Sequence, residues 1–386
     1  MKEKEIIEKL LQECDVEIGG HRPWDLQVHD DKMYSMIIHG GPMALGETYM
    51  SGMWKTNDES SLAEFFTRVL RADIELKIKK YYSSRVFLKN LPNHIFGVLR
   101  SIFKKAFAFN IGKEHYDIGN GLYKKMLGRR MIYSCAFWEG AQDLEQAQEN
   151  KLDLICKKVK LRKGMKVLDI GCGWGSFLKY AAEKYGISGV GVTVSDEQRK
   201  LAMKTCTGHD IEIRLQDYRD IPEEEKYDAI VSVGMFEHVR PESYREFMKH
   251  AEKHLVEDGI FLLHSIGSIK SVKRTNPWIE KYIFPGGVLP SIAQIGSAVD
   301  DIFIIEDLHN FGVDYDLTLM NWYKNFKDNW LDIKDMDGGY SDRFYNMWVY
   351  YLLICAGSFR SRKNQLWQIA LRKKHAIGGY KRVFGS

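Results

Sequence analysis

Short apolar runs alternate with amphipathic segments from residue 151 onward. Segments such as SFLKYAAEKYG, DEQRKLAMKTC and REFMKHAEKHL place their apolar residues at helical spacing. The runs between them are typical of parallel strands buried on both faces: MKVLDIG, SGVGVTV, IEIRLQD, KYDAIVSVG and, after a glycine turn predicted at residues 257–259, IFLLHSIG. The pattern predicts a doubly wound α/β fold.

The first part of the chain has a different pattern. It begins with a predicted amphipathic helix whose apolar positions are Ile6, Ile7, Leu10, Leu11 and Cys14. Glycine and proline then separate short elements, as in IGGHRP and HGGPMALGETYMSGMW. We predict a small α+β N-terminal domain over residues 1–95, a basic amphipathic linker over 96–113, and the α/β domain over 114–386.

Positive charge is concentrated in two blocks. Residues 76–113 hold nine Lys or Arg and no acid, and residues 343–386 again hold nine and none. The whole chain has a net charge of only +4, so the rest is acidic overall. Basic blocks in an otherwise acidic protein indicate an anionic partner.

The first basic block is also apolar, with Ile95, Phe96, Leu99, Ile102, Phe103 and Phe107 at helix-like spacing beside Arg100, Lys104 and Lys105. A basic amphipathic helix on an anionic membrane surface has this pattern. A core helix with a solvated basic edge explains it equally well. Nucleic acid is a weaker interpretation because no binding motif accompanies the charge, and we expect no nucleic-acid partner.

The six cysteines lack CxxC or metal-ligand spacing, so we predict neither a disulfide framework nor a metal site. The segment MKEKEIIEKLLQEC carries acids and too short an apolar run for a signal peptide. No run reaches the roughly 18 apolar residues of a membrane span. These features predict a cytoplasmic protein that is not integral to a membrane.

The stretch VLDIGCGWGSF, residues 167–177, joins a predicted strand to a predicted helix. Its glycines follow G-x-G-x-G rather than the G-x-G-x-x-G of dinucleotide sites, which favours S-adenosylmethionine. We assign to the cofactor Asp169, Gly171, Cys172, Gly173 and Gly175.

Polar residues also follow the next two predicted strands. Those after SGVGVTV can reach ribose hydroxyls or the methionine part of the cofactor, and those after IEIRL can reach the adenine edge. The residues are Thr193, Val194, Ser195 and Gln198, then Gln216 and Asp217. Helix capping is an additional role for Ser195.

The stretch GMFEHV, residues 234–239, follows the fourth predicted strand, where amino methyltransferases of nucleic acids show [D/N]-P-P-[Y/F]. It places Glu237 at the active edge of the sheet. A carboxylate there can hold an ammonium group, a water, or a small acid through a shared proton; a salt-bridged helix start is the structural alternative.

Taken together, YSCAFW (133–138), VLDIGCGWG, TVSDEQ, SVGMFEHV, LLHSIG (262–267), EDLHNFGVDYDLTLMNWY (306–323) and YYLLICAGSFR (350–360) resemble the cyclopropane-fatty-acyl-phospholipid synthases. LGETYMSGMW (45–54) resembles the front domain of the two-domain bacterial members, so the resemblance covers nearly the whole chain. The mycolic acid cyclopropane synthases share the catalytic half but usually lack that domain.

The resemblance implies a Rossmann-like S-adenosylmethionine-dependent domain that acts on unsaturated phospholipid in the bilayer. The alkene attacks the sulfonium methyl, a base removes a proton from the new methyl group, and a cyclopropane ring closes. We also expect a homodimer, and the two basic blocks predict that it associates peripherally with the inner face of the membrane. Lipid presentation or dimer contact is the hypothesis for the front domain.

The resemblance also implies that the base is a bound bicarbonate, held at positions matching Cys135, Glu237, His264, the backbone of Ile266, and Tyr315. Glu237 can accept the hydrogen of its hydroxyl, while His264, Tyr315 and backbone N–H groups donate to its oxygens. Tyr133 and Ser134 are expected to touch S-adenosylmethionine. Cys355 matches a family cysteine, and we interpret it as packing or pocket lining because no neighbouring base is visible.

Two alternatives remain open. In the first, the cation loses its proton elsewhere, which leaves a methylated or methylene-branched lipid. In the second, the protein is a membrane-associated module that binds S-adenosylmethionine without turnover. The set of Glu237, His264 and Tyr315 argues against the second alternative.

Overall fold

The computed structural model describes residues 3–74, 77, 120–336 and 339–383. The elements before residue 75 are α1 (Glu3–Gln12), β1 (Leu26–Val28), α2 (Lys32–Met50), β2 (Trp54–Thr56) and α3 (Leu62–Arg71). The predicted amphipathic helix is confirmed, because α1 buries Ile7, Leu10 and Leu11 on one face. Strands β1 and β2 form an antiparallel pair. Helix α2 is interrupted where Gly41 takes a φ of 57°, just before Pro42.

The second part of the described chain alternates helices and strands. Its α-helices are α4 (Asn120–Leu127), α5 (Leu144–Lys158), α6 (Ser176–Tyr185), α7 (Asp196–Thr205), α8 (Tyr244–His254), α9 (Pro277–Tyr282), α10 (Ile292–Val299), α11 (Val313–Asp328), α12 (Trp330–Lys334) and α13 (Asp342–Arg360). Its strands are β3 (Lys166–Ile170), β4 (Ser188–Thr193), β5 (Ile211–Leu215), β6 (Tyr227–Val233), β7 (Leu255–Ser268), β8 (Phe303–Asn310) and β9 (Asn364–Lys373).

Within the described residues these strands form one seven-stranded sheet in the order β5-β4-β3-β6-β7-β9-β8. Strands β3 to β7 pair in parallel, whereas β9 pairs antiparallel with both β7 and β8. The predicted α/β fold, with a small α+β region before it, is confirmed. The strand order reverses between β3 and β6, so the carboxyl ends of these two neighbouring strands flank the crevice where ligands bind in such sheets.

The structure differs from the sequence-based expectation at two places. The turn predicted at residues 257–259 lies inside β7, where a register shift against β6 between Tyr227 and Ala229 accommodates the extra residues. Strands β8 and β9 were not predicted. They complete the sheet by antiparallel pairing, and β9 is buried along almost its whole length.

The N-terminal residues share a hydrophobic core with helices of the second part of the chain, including α4, α11 and α13. The ring of Phe66 on α3 lies 5.3 Å from that of Tyr350 on α13. On α2, a Cβ at Gly46 would lie 2.3 Å from Trp278 of α9, so glycine permits this close approach.

Two predictions concern membranes. No helix among the described residues is long and apolar enough to span a bilayer. The predicted basic amphipathic helix around residues 95–107, like the linker 96–113, lies outside the described residues.

Candidate active site

The glycine loop between β3 and α6 has the backbone conformation that glycine favours. Gly171, Gly173 and Gly175 have φ values of 84°, 53° and 80°. A Cβ at Gly171 would lie 2.6 Å from Met235 Cγ, so a side chain there would collide with the loop after β6. The loop is therefore held close to the end of the neighbouring strand.

A cavity of about 460 Å³ opens at this edge of the sheet. It is lined by nearly every residue assigned from sequence to the cofactor: Tyr133, Ser134, Asp169, Gly171, Cys172, Gly173, Thr193, Val194, Ser195, Gln198, Gln216 and Asp217. Gly175 does not line the cavity. A Cβ there would lie 2.8 Å from Cys206 Sγ, so its glycine is explained by the packing of α6 against α7.

The polar side chains after β4 and β5 hold one another in place. Thr193 Oγ1 donates to Gln198 Oε1 at 3.0 Å, and Ser195 Oγ accepts from the Gln198 amide at 3.2 Å, which caps α7. After β5, the Asp217 carboxylate accepts two hydrogen bonds from the Arg219 guanidinium, at 2.8 and 2.6 Å. We call this half of the site, residues 169–219 with Tyr133 and Ser134, the cofactor side.

Lys151 on α5 is a cavity-lining residue that was not predicted from the sequence. Its side chain is almost fully buried, and Nζ donates to Ser134 Oγ at 2.8 Å. Burial lowers the pKa of Lys151 to about 7, although the charges of Cys135 and Asp169 act to raise it. Burial likewise raises the pKa of Asp169 to about 7, and Lys151 opposes that rise. The sequence signal that could have identified Lys151 is a lysine on the apolar face of the helical segment KLDLICKKVKL, residues 151–161.

Glu237 lies in a 3₁₀ turn, Phe236–His238, directly after β6. Its Oε1 accepts a 2.6 Å hydrogen bond from the Ile266 amide on β7, whereas Oε2 has no hydrogen-bond partner among the described residues. Burial raises the pKa of this carboxyl to about 7, although the Ile266 hydrogen bond acts in the opposite direction. The amide of Ile266 therefore orients Glu237 in this structure, and the assignment of the Ile266 backbone to the bicarbonate site stays a prediction.

His264 lies two residues earlier on β7 and is also buried. Gln368 Nε2 donates to its Nδ1 at 3.3 Å, which leaves the proton of the neutral ring on Nε2. That nitrogen has no partner within the described chain. Burial, with smaller contributions from the charges of Lys151 and Lys158, holds the pKa of His264 well below its ordinary value. The ring is neutral at physiological pH.

Tyr315 on α11 and Cys135 are the other two buried groups assigned to the base. Burial raises the pKa of Tyr315, and the charges of Tyr351, Cys135 and Glu237 add to the shift. Tyr315 and Cys135 belong to the same buried hydrophobic core. Burial also raises the pKa of the Cys135 thiol well above its usual value. In the part of the chain that the structure describes, no hydrogen bond directly joins the side chains of Cys135, Glu237, His264 and Tyr315. We call these four residues the base side.

Cys355 on α13 retains some accessible surface, yet burial raises its thiol pKa to about 12. The partial exposure fits a residue that lines a pocket, and the raised pKa means that little thiolate is present at neutral pH. All six cysteines are free. A search of the described residues finds no group of His, Cys, Asp or Glu that could hold a metal ion.

Aromatic rings line the region between the cofactor side and α13. Tyr133 lies 5.3 Å from Trp322 and 6.2 Å from Phe284 between ring centroids, and its hydroxyl is 2.7 Å from that of Tyr351. Phe284 also meets His238, a cavity-lining residue, at 6.0 Å. Ring faces stabilise nearby positive charge through their quadrupoles.

The strand order, the glycine loop and the cavity define the class: an S-adenosylmethionine-dependent methyltransferase fold. Comparison with known proteins gives the family. The family model for mycolic acid cyclopropane synthetase matches residues 103–369. The chain belongs to this family and is an S-adenosylmethionine-dependent enzyme.

Individual relatives are consistent with this membership. The chain is 45% identical to the cyclopropane-fatty-acyl-phospholipid synthase of Escherichia coli K12, over 95% of this chain and 93% of that protein. It is 31% identical to a probable fatty acid methyltransferase of Pseudomonas putida, over 68% and 69%. The crystal structure of the mycolic acid cyclopropane synthase CmaA1 with SAH and CTAB aligns with a TM-score of 0.63 at 30% identity, over 69% of this chain and 98% of that one.

Proposed function

We propose that this enzyme transfers a methylene group from S-adenosylmethionine to the cis double bond of unsaturated acyl chains in membrane phospholipids, forming a cyclopropane ring. The observation that carries the proposal is the buried Glu237 carboxyl, half of which is unpartnered among the described residues, directly after the strand that ends at the cofactor cavity. Similarity over nearly the full length to the Escherichia coli enzyme supports the same reaction.

The base side fits a bound bicarbonate. Glu237 Oε2 and His264 Nε2 are both buried without a partner among the described residues, and such atoms cost free energy unless a third group satisfies them. We infer that Glu237, His264 and Tyr315 would hold the anion, with Cys135 beside it. Bound there, bicarbonate would supply a general base whose orientation is fixed by these side chains.

The chain's own residues then have three tasks. The cofactor side binds S-adenosylmethionine so that its reactive methyl group faces the acyl chain. The aromatic rings of Tyr133, Phe284 and Trp322 exclude water and stabilise positive charge that develops on the acyl carbons. Glu237, oriented by the Ile266 amide, accepts a hydrogen bond when it is ionised.

The test is the mass of lipid products formed from unsaturated phospholipid vesicles with labelled cofactor. Cyclopropanation adds CH₂ and leaves a product that resists hydrogenation as an alkene. A product that keeps a double bond supports the alternative of methylation or methylene branching, which the Pseudomonas putida relative makes worth testing. Cofactor binding without lipid turnover would support the binding-module alternative.

We further infer a peripheral position at the cytoplasmic face of an anionic membrane. The second basic block contributes less than its sequence indicates, because many of its charges are paired. Arg360 meets Asp316 at 2.8 Å, Lys374 meets Asp301 at 3.0 Å, and Arg382 meets Asp307 at 2.6 Å. The inference therefore rests mainly on the block at residues 76–113. Vesicle binding that does not weaken as salt rises would contradict it.

For the N-terminal residues we propose lipid presentation or contact within a homodimer. Truncation would expose the core that they share with α13 and α9, so the test keeps the chain whole. Sedimentation equilibrium of the full-length protein should give the mass of two chains. A single-chain mass at micromolar concentration would leave lipid presentation as the surviving role.

A further inference from the structure

Helix α5 holds one residue of the site by two separate hydrogen bonds. Gln148 Nε2 donates to the backbone oxygen of Ser134 at 3.0 Å, and Lys151 Nζ donates to the Ser134 hydroxyl at 2.8 Å. The two side chains are three residues apart, so they lie on the same face of the helix. Gln148 is 2% exposed and Lys151 is 1% exposed. Both bonds are therefore shielded from competing water.

The segment that this helix holds joins the two sides of the site. Tyr133 and Ser134 line the cofactor cavity, whereas the next residue, Cys135, is fully buried and shares a hydrophobic core with Tyr315. The segment is anchored on its far side as well, since the Ala136 amide donates to Thr318 Oγ1 at 3.1 Å. A shift of residues 133–135 would consequently move cofactor contacts and base contacts together.

Stability does not account for a lysine at this position. Burying an ammonium group is costly unless an opposite charge lies against it. Within the described residues, no carboxylate oxygen lies within 4.0 Å of Lys151 Nζ. Asp169, which lines the same cavity, forms no ion pair with Lys151, and Asp169 Oδ1 has no hydrogen-bond partner among the described residues. Methionine would fill the same space at a lower cost of burial.

We propose that Gln148 and Lys151 are positioning residues that fix residues 133–135 and so keep the bound cofactor in register with the base side. The cofactor half of this proposal depends only on the cavity. The base half rests on the proposed function.

The test compares Lys151→Met with Lys158→Met. Lys158 is a matched control because it lies two turns further along α5, is equally buried, and pairs with Asp307 at 3.4 Å outside the cavity lining. We expect Lys151→Met to weaken binding of S-adenosylhomocysteine about tenfold and to lower kcat about tenfold or more, with the KM for vesicles unchanged. Lys158→Met should lower the melting temperature without changing the affinity for S-adenosylhomocysteine.

Ser134→Ala provides a second route that leaves the lysine in place. If Lys151 acts through Ser134, the double variant should be no worse than Lys151→Met alone, as measured by calorimetry. Equal effects of the two lysine variants on cofactor affinity, or additive effects of Lys151→Met and Ser134→Ala, would overturn the proposal. Calorimetry with S-adenosylhomocysteine needs no lipid, so it tests the cofactor half of the proposal independently. A wild-type enzyme that forms no cyclopropane would refute the proposed function without changing that result.

Discussion

The cofactor side and the base side lie at the same edge of the sheet, but their polar groups are satisfied differently. On the cofactor side, Thr193, Ser195 and Gln198 form hydrogen bonds with one another within a span of six residues. On the base side, Glu237 and His264 each keep a buried atom without a partner among the described residues. Asp169 is the exception on the cofactor side. The difference supports the proposal that a small anion completes the base side, whereas the polar groups of the cofactor side already satisfy one another.

Glu237→Gln should break the base side most severely. The amide keeps the shape of the side chain but cannot be ionised. If its oxygen accepts the hydrogen bond from Ile266, an NH₂ donor replaces the second acceptor oxygen that would orient the base. We expect activity to fall about a thousandfold, within the range of general base catalysis, while the dissociation constant for S-adenosylmethionine changes less than about threefold. Turnover of vesicles and calorimetry on the same variant provide the two measurements. Joint loss of binding and activity would place Glu237 on the cofactor side.

Gly171→Ala should break the cofactor side instead. Its φ of 84° and the approach of Met235 leave no room for a methyl group. We expect cofactor affinity to fall about 10- to 100-fold and stability to fall by about 1–3 kcal/mol, since strain of this kind costs that much. The control is Gly208→Ala, which has a φ of 87° and no neighbour within 4 Å of the added carbon. Unchanged cofactor affinity in Gly171→Ala would show that the loop does not approach the ligand.

The pH dependence should distinguish the two sides. The pKa of Glu237 is raised to about 7, so the carboxyl is neutral below that pH and ionised above it. We expect kcat/KM for lipid to fall about tenfold per pH unit below 7, at constant bicarbonate concentration, and to level off above it. Cofactor affinity must be measured in parallel because Lys151 and Asp169 also have pKa values of about 7. A change confined to cofactor affinity would assign the titration to them.

Cys355→Ala should have the smallest effect. The thiol pKa of about 12 leaves little thiolate, so the residue contributes contact and not chemistry. We expect activity within about threefold of the wild type, since one small group is lost from the wall. Abolished turnover, with an intact fold by circular dichroism, would mean that Cys355 acts as a nucleophile.

The local sequence pattern was sufficient to predict the parallel strands of the sheet and most of the residues of the cofactor side. Buried strands read as apolar runs, and in a parallel sheet the residues that follow each strand must meet at one edge. The amino-acid pattern alone therefore groups Asp169, Thr193 and Asp217. The antiparallel strands β8 and β9 were not predicted because helices α11 to α13 lie between them and interrupt the strand–helix alternation from which the other strands were predicted.

Tertiary structure alone decided the base side and its support. Cys135 and Tyr315 lie far apart in the sequence, and nothing local in either segment indicates that both are buried in the same hydrophobic core. The hydrogen bond from the Ile266 amide to Glu237 depends on how β7 packs beside the turn that follows β6. The hydrogen bond from Lys151 to Ser134 depends on how α5 packs against the segment before it. Sequence periodicity determines which face of an element is buried, whereas only packing determines which buried polar atoms find each other.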